Sequence, residues 1–144
     1  AVMREITDIT TACCDIKRQV VEQDELDLGI RMILNFGHTL GHVYEKAYHY
    51  ETYTHGEAVA AGMVAAAKLG QKLGHTPAGT EERIAALLAA FGLPTAIEAE
   101  RTVCETVLGL DKKNQGKTIH FIFLERLGKA LPVAMDRAAL LAQL

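Results

Sequence analysis

The residues best suited to chemistry gather in one stretch, RMILNFGHTLGHVYEKAYHYETYTHGE (31–57). His38 and His42 stand four apart, the spacing at which two imidazoles on one helix address one site, and His55 follows 17 residues after His38. Read as one helix at about 100° per residue, Arg31, Asn35, His38, His42 and Glu45 all share a narrow polar face. Imidazoles grouped this way suit a metal such as zinc, which in catalytic sites takes three protein ligands and keeps one position open. Nothing in the spacing requires all three ligands to be histidines, and a carboxylate could be one. A guanidinium at Arg31 can grip a carboxylate or phosphate through paired hydrogen bonds, Lys17 can add a point charge, and Asn35 can donate to the same anion. His49, His75 and His120 have no comparable company and read as surface or structural residues.

Several elements must hold that face in place. Ile33, Leu34, Leu40 and Val43 give the same segment an apolar side to bury, while Gly37 and Gly41 leave room for something to approach closely. Each interior helical glycine costs roughly 1 kcal/mol against alanine, so two beside the histidines call for a reason. Upstream, Val2, Ile6, Ile9, Cys13, Ile16 and Val20 predict a helix over 2–23, and DELDLG (24–29) breaks its period. Downstream, AYHYETYT (47–54) ends in a loop, and Thr54 with Glu57 has the spacing of a capping box. It opens HGEAVAAGMVAAAKLGQKLG (55–74), a helix of small residues expected to be central and buried, stopped by Gly74. Thr80 is the expected cap of an amphipathic helix over 82–92, ended by Gly92 and Pro94, and a shorter helix is predicted over 98–110. LDKKNQGK (110–117) reads as a loop before KTIHFIFLE (117–125) and RLGKALPVAM, a β-hairpin, after which Asp136 caps a last short helix. The expected fold is mainly α: a multi-helix domain with one small β-hairpin near the C-terminus.

Composition narrows the function classes. At 144 residues the chain is one domain, 1–144, with length enough to bury a core. It is 49% hydrophobic, but no apolar run reaches the length of a membrane span, so a membrane is not an expected partner. A net charge of −3 with scattered Lys and Arg argues against nucleic acid. The opening AVMREITDIT lacks the pattern of a signal peptide, and Cys13, Cys14 and Cys104 lack metal-site spacing, which together predict reduced thiols in a cytoplasmic protein. The chain starts in mid-pattern, which suggests a piece of something longer.

The combination LNFGHTLGHVYE and HGEAVAAGM, preceded by CDIKRQVVEQDELDLGIR and followed by LDKKNQGK, resembles the C-terminal domain of 3-dehydroquinate synthases. That family's reaction converts 3-deoxy-D-arabino-heptulosonate 7-phosphate into 3-dehydroquinate and phosphate, in the shikimate route to aromatic amino acids. The resemblance implies that His38 and His55 are metal ligands for Zn2+ or Co2+, and that His42 transfers a proton or serves the phosphate side. It implies that Lys17, Arg31 and Asn35, with Lys112 or Lys113, bind the substrate's carboxylate and phosphate. Where the family has a glutamate as candidate proton acceptor, this chain has Asp27, whose arm is shorter. In such enzymes an NAD+ transiently oxidises a ring hydroxyl, phosphate is eliminated, the ketone is reduced again, and ring opening with an aldol step closes the carbocycle.

NAD+ and the third metal ligand, a glutamate, belong in the family to an N-terminal domain. This chain has no Gly-rich dinucleotide fingerprint. The resemblance therefore implies three partners, namely a phosphorylated sugar-acid substrate, an N-terminal synthase domain and, in the complete protein, a second copy in a homodimer. The fragment alone is expected to be inactive and to bind zinc weakly, if at all, through His38 and His55. The rival readings are another sugar-phosphate cyclase such as 2-deoxy-scyllo-inosose synthase, an iron-type alcohol dehydrogenase, and a non-catalytic helical module. Lys17 and Arg31, which would answer a carboxylate, argue against the first.

Overall fold

Small residues explain the middle of this molecule. The structure, a computed structural model, describes residues 2–26, 29–109 and 118–144. Its elements run α1 (Val2–Gln23), a 3-10 turn (Ile30–Asn35), α2 (His38–Ala47), α3 (His55–Leu73), α4 (Thr80–Ala90), α5 (Arg101–Val107), β1 (Thr118–Arg126), β2 (Lys129–Asp136) and α6 (Arg137–Leu141). The fold is mainly helical with a C-terminal hairpin, as its patterns predict. The chain divides into two compact units, Ala1–Leu34 and Asn35–Leu144.

In the first unit α1 carries its amphipathic stripe in the open: Ile6, Ile9 and Ile16 are all exposed, Ile16 by 60%. Its charged side chains pair with one another, Arg18 bridging Asp15 and Glu22 at 2.7 Å each. Asp24 then organises the bend that follows, its Oδ2 accepting the backbone N–H of Gly29 at 2.7 Å and of Arg31 at 3.0 Å.

The second unit is built on α3. Thr54 and Glu57 close the expected capping box at its start, and Gly74, at φ 79°, ends it in the left-handed conformation. Ala58, Ala60, Ala61, Ala66 and Ala67 are all buried along it, so α2, α4 and β1 can each lie against it. Leu40 and Val43 of α2, Leu69 of α3, Cys104 of α5, Phe121 and Phe123 of β1 and Leu140 of α6 make the core. In the hairpin Phe123 pairs with Leu131 around a turn at Leu127 and Gly128, and Pro132 of β2 stands opposite Ile122. β2 is an edge strand of this two-stranded sheet, which is where a residue without an N–H is tolerated.

Three expectations need correction. Residues 31–45 are not one helix: a 3-10 turn ends at Asn35, Gly37 takes φ 80°, and α2 begins afresh at His38. α4 starts at Thr80 with Gly79 as its cap, because the Thr80 hydroxyl donates back to the Pro77 carbonyl at 2.7 Å. α5 covers 101–107, shorter than the predicted 98–110, and Gly109 at φ 68° lies just beyond it. All three cysteines are free thiols, Cys104 buried and Cys13 and Cys14 exposed. Among the described residues no helix is long and apolar enough to cross a membrane.

Candidate metal centre and anion site

Two helix starts bring the histidines together. His38 is the first residue of α2 and His55 the first of α3, and the loop between them reverses the chain through His49 and Tyr50, both at positive φ. The reversal is tied down by the Tyr50 N–H, which donates to the Glu45 carbonyl at 2.8 Å. The glycines set how close the two helices come. A Cβ on Gly62 of α3 would collide with the Gly37 carbonyl oxygen, and one on Gly37 would lie 2.8 Å from the Met63 backbone nitrogen. The room that Gly37 and Gly41 leave for a close approach is filled by α3 itself.

The result is a triangle of imidazoles. Ring centroids lie 5.2 Å apart for His38 and His55, and 6.0 Å apart both for His38 with His42 and for His42 with His55. Glu45 sits beneath, almost entirely buried, one turn after His42. Its Oε2 lies 2.8 Å from His42 Nδ1 and its Oε1 2.9 Å from His55 Nδ1. Burial alone would push the Glu45 carboxyl up. The hydrogen bonds to His42 and His55, with their electrostatic attraction, outweigh burial and hold it below the ordinary glutamate value. His38 Nδ1 faces the Phe36 carbonyl at 3.3 Å.

These positions can be tested against a metal. Two imidazoles on a tetrahedral zinc, with Zn–N bonds of about 2.0–2.1 Å, have centroids roughly 5 Å apart. The 5.2 Å between His38 and His55 suits such a pair, whereas His42, 6.0 Å from each, stands slightly wide. With Nδ1 of every ring engaged inside the protein, the Nε2 atoms have no partner among the described residues. The converging group of His42, Glu45 and His55, whose donor atoms lie within 4.8 Å of one another, is centred on the Glu45 carboxylate.

Beside the histidines lies a cleft of about 290 Å³ lined by Asn35, His38, Thr39, His42, Ile119 and His120, among others. Asn35 therefore shares a surface with two of the histidines, although it ends the 3-10 turn and does not lie on one helix with them. His120, on β1, joins them from 78 residues beyond His42. From the sequence His120 reads as a surface or structural residue, and no local pattern marks it, since only the packing of the hairpin carries it there. Lys17 is exposed on α1, and the Arg31 guanidinium donates to the Glu25 carbonyl at 3.1 Å, both within the first unit. Asp27, Lys112 and Lys113 lie outside the described residues.

Comparison with known proteins agrees with the motifs. The chain is 49% identical over 125 residues to the 3-dehydroquinate synthase of Clostridium perfringens, a match covering 86% of this chain and 36% of that protein. It is 42% identical over 130 residues to the enzyme of Enterococcus faecalis, covering 89% of this chain and 36% of the relative. The chain thus spans a little over a third of the length of these relatives. Among solved structures, 2-deoxy-scyllo-inosose synthase complexed with carbaglucose-6-phosphate, NAD+ and Co2+ superposes with a TM-score of 0.75 at 24% identity, over 90% of this chain and 39% of that one. That likeness supports the fold. The "3-dehydroquinate synthase C-terminal" family matches residues 2–114, and this chain belongs to that family.

Proposed function

We propose that this chain is the metal- and substrate-binding part of a 3-dehydroquinate synthase, acting on 3-deoxy-D-arabino-heptulosonate 7-phosphate together with an N-terminal NAD-binding domain. The observation that carries the reading is the 5.2 Å placement of His38 and His55 on two abutting helix starts. Both rings have Nδ1 occupied and can offer Nε2 to a divalent metal such as zinc or cobalt. When bound, the metal would polarise the hydroxyl and ketone oxygens of the substrate.

The chain's own residues would do the rest. Asn35 and His42 line the cleft beside the metal ligands, where an amide N–H can hold a substrate oxygen and an imidazole can move a proton at the phosphate side. Lys17, Arg31 and a lysine of the 112–113 pair would supply the cations that hold a carboxylate and a phosphate in one reactive geometry. Arg31 would first have to exchange its Glu25 carbonyl contact for the substrate. Asp27 would take the place of the usual glutamate as proton acceptor. The complete protein would be a cytoplasmic homodimer.

A second reading, another sugar-phosphate cyclase, is favoured by the fold likeness to 2-deoxy-scyllo-inosose synthase. Phosphate release separates the two. With NAD+ and zinc, the heptulosonate phosphate should be turned over only when the chain is mixed with an N-terminal synthase half, and His38→Ala should abolish that turnover. A well-folded mixture that releases phosphate from a carboxylate-free hexose phosphate instead would favour the rival.

A further inference from the structure

Glu45 has no role in the reading above, yet it is the most completely engaged polar group of the site. It is buried, and each of its two oxygens meets a different imidazole, His42 at 2.8 Å and His55 at 2.9 Å, from two different helices. An ionised carboxylate is an acceptor only, so each ring must present an N–H to it. A neutral imidazole carries one proton, and once that proton is on Nδ1 the lone pair is on Nε2. The Phe36 carbonyl asks the same of His38.

We propose that Glu45 is a positioning residue that holds His42 and His55 in one tautomer, proton on Nδ1, so that both rings turn an Nε2 lone pair to the site. The arrangement couples the two helices chemically as well as sterically. α2 carries the carboxylate and one ring, α3 carries the other ring, and neither ring can reverse its tautomer without losing its acceptor. A metal ligand at His55 and a proton-accepting group at His42 would thereby be set by one side chain. That consequence rests on the function proposed above, whereas the tautomers themselves do not.

The test is two-bond 15N–1H correlation of the histidine rings in the 144-residue chain without metal, at a pH where free imidazole is neutral. His42 and His55 should both show the Nδ1–H pattern, and either ring in the Nε2–H form overturns the proposal. Glu45→Gln sharpens it. The amide has one oxygen to accept and one NH2 to donate, so one ring should keep Nδ1–H and the other should switch to Nε2–H. Two unchanged rings in a folded Glu45→Gln would also overturn it. Should that variant fail to fold, the wild-type spectrum still decides.

Zinc titration adds a separate readout. Glu45→Gln should weaken binding by about 10- to 100-fold, the usual effect of removing the partner that orients a ligating histidine. In the wild type the Nδ1–H signals should persist in the zinc-bound form, and their loss would put zinc at Nδ1 or at the Glu45 carboxylate and sink the proposal. Fixed tautomers with no zinc affinity would still support the positioning role, since the proposed site takes its third ligand from the N-terminal domain.

Discussion

α1 and α3 are helices of similar length, 22 and 19 residues, and both are plain in the sequence, but they behave oppositely. α1 has the stronger amphipathic pattern and leaves three isoleucines of its stripe exposed. α3 is dominated by Ala and Gly from Ala58 to Ala67, and most of that stretch is buried. The difference lies in what each offers a neighbour. Large side chains on α1 keep any partner helix at ordinary distance, whereas Ala and Gly on α3 let backbones come together, with Gly62 against the Gly37 carbonyl. Close approach is what makes a site here. It brings His55 to the Glu45 carboxylate and to the His38 ring, while the charges of α1 pair along the helix surface.

Gly62→Ala should break this comparison most severely. Its methyl would meet backbone on both sides, the Gly37 oxygen and the Gly41 nitrogen at 2.9 Å, and neither can rotate away. A loss of about 3 kcal/mol in urea unfolding, at the upper end of overpacking costs, is expected. The imidazole triangle should open with it, read as a loss of the shared tautomer pattern.

Thr54→Ala should act at the same helix more gently, by about 1 kcal/mol. The Thr54 hydroxyl accepts the Glu57 N–H, and the Thr54 N–H donates to the Glu57 carboxylate, so the substitution frays the turn that begins with His55. Thermal unfolding would measure the loss, and no change in Tm would mean that the cap contributes nothing to holding α3's start.

Ile16→Ala on α1 is the counterpart and should be the smallest effect, within about 0.5 kcal/mol, since Ile16 is 60% exposed. A cost approaching that of Gly62→Ala would show that the stripe of α1 is packed in solution, and the contrast between the two helices would fail.

Much of this was legible in advance, for identifiable reasons. The capping box at Thr54, the stop at Gly74, the hairpin and the Asp136 cap are local chemistry, in which neighbouring residues satisfy one another's backbone groups. The grouping of His38, His42 and His55 was legible too, because a four-residue spacing on a helix and a short reversal leave few other outcomes. The single face from Arg31 to Glu45 was not. Spacing arithmetic assumes an unbroken helix, and Gly37 breaks it at the point where α3 presses on the chain.

By itself, then, the sequence determined which side chains are chemically suited to a metal or an anion, most of the helices and the hairpin, and the family to which the chain belongs, because these depend on side-chain chemistry and on contacts a few residues long. Only the tertiary structure decided that the glycines serve helix contact, that Glu45 bridges two rings, and that His120 reaches the histidine cleft. Those outcomes join residues from separate elements, and no periodicity records the distance between two backbones once they have packed.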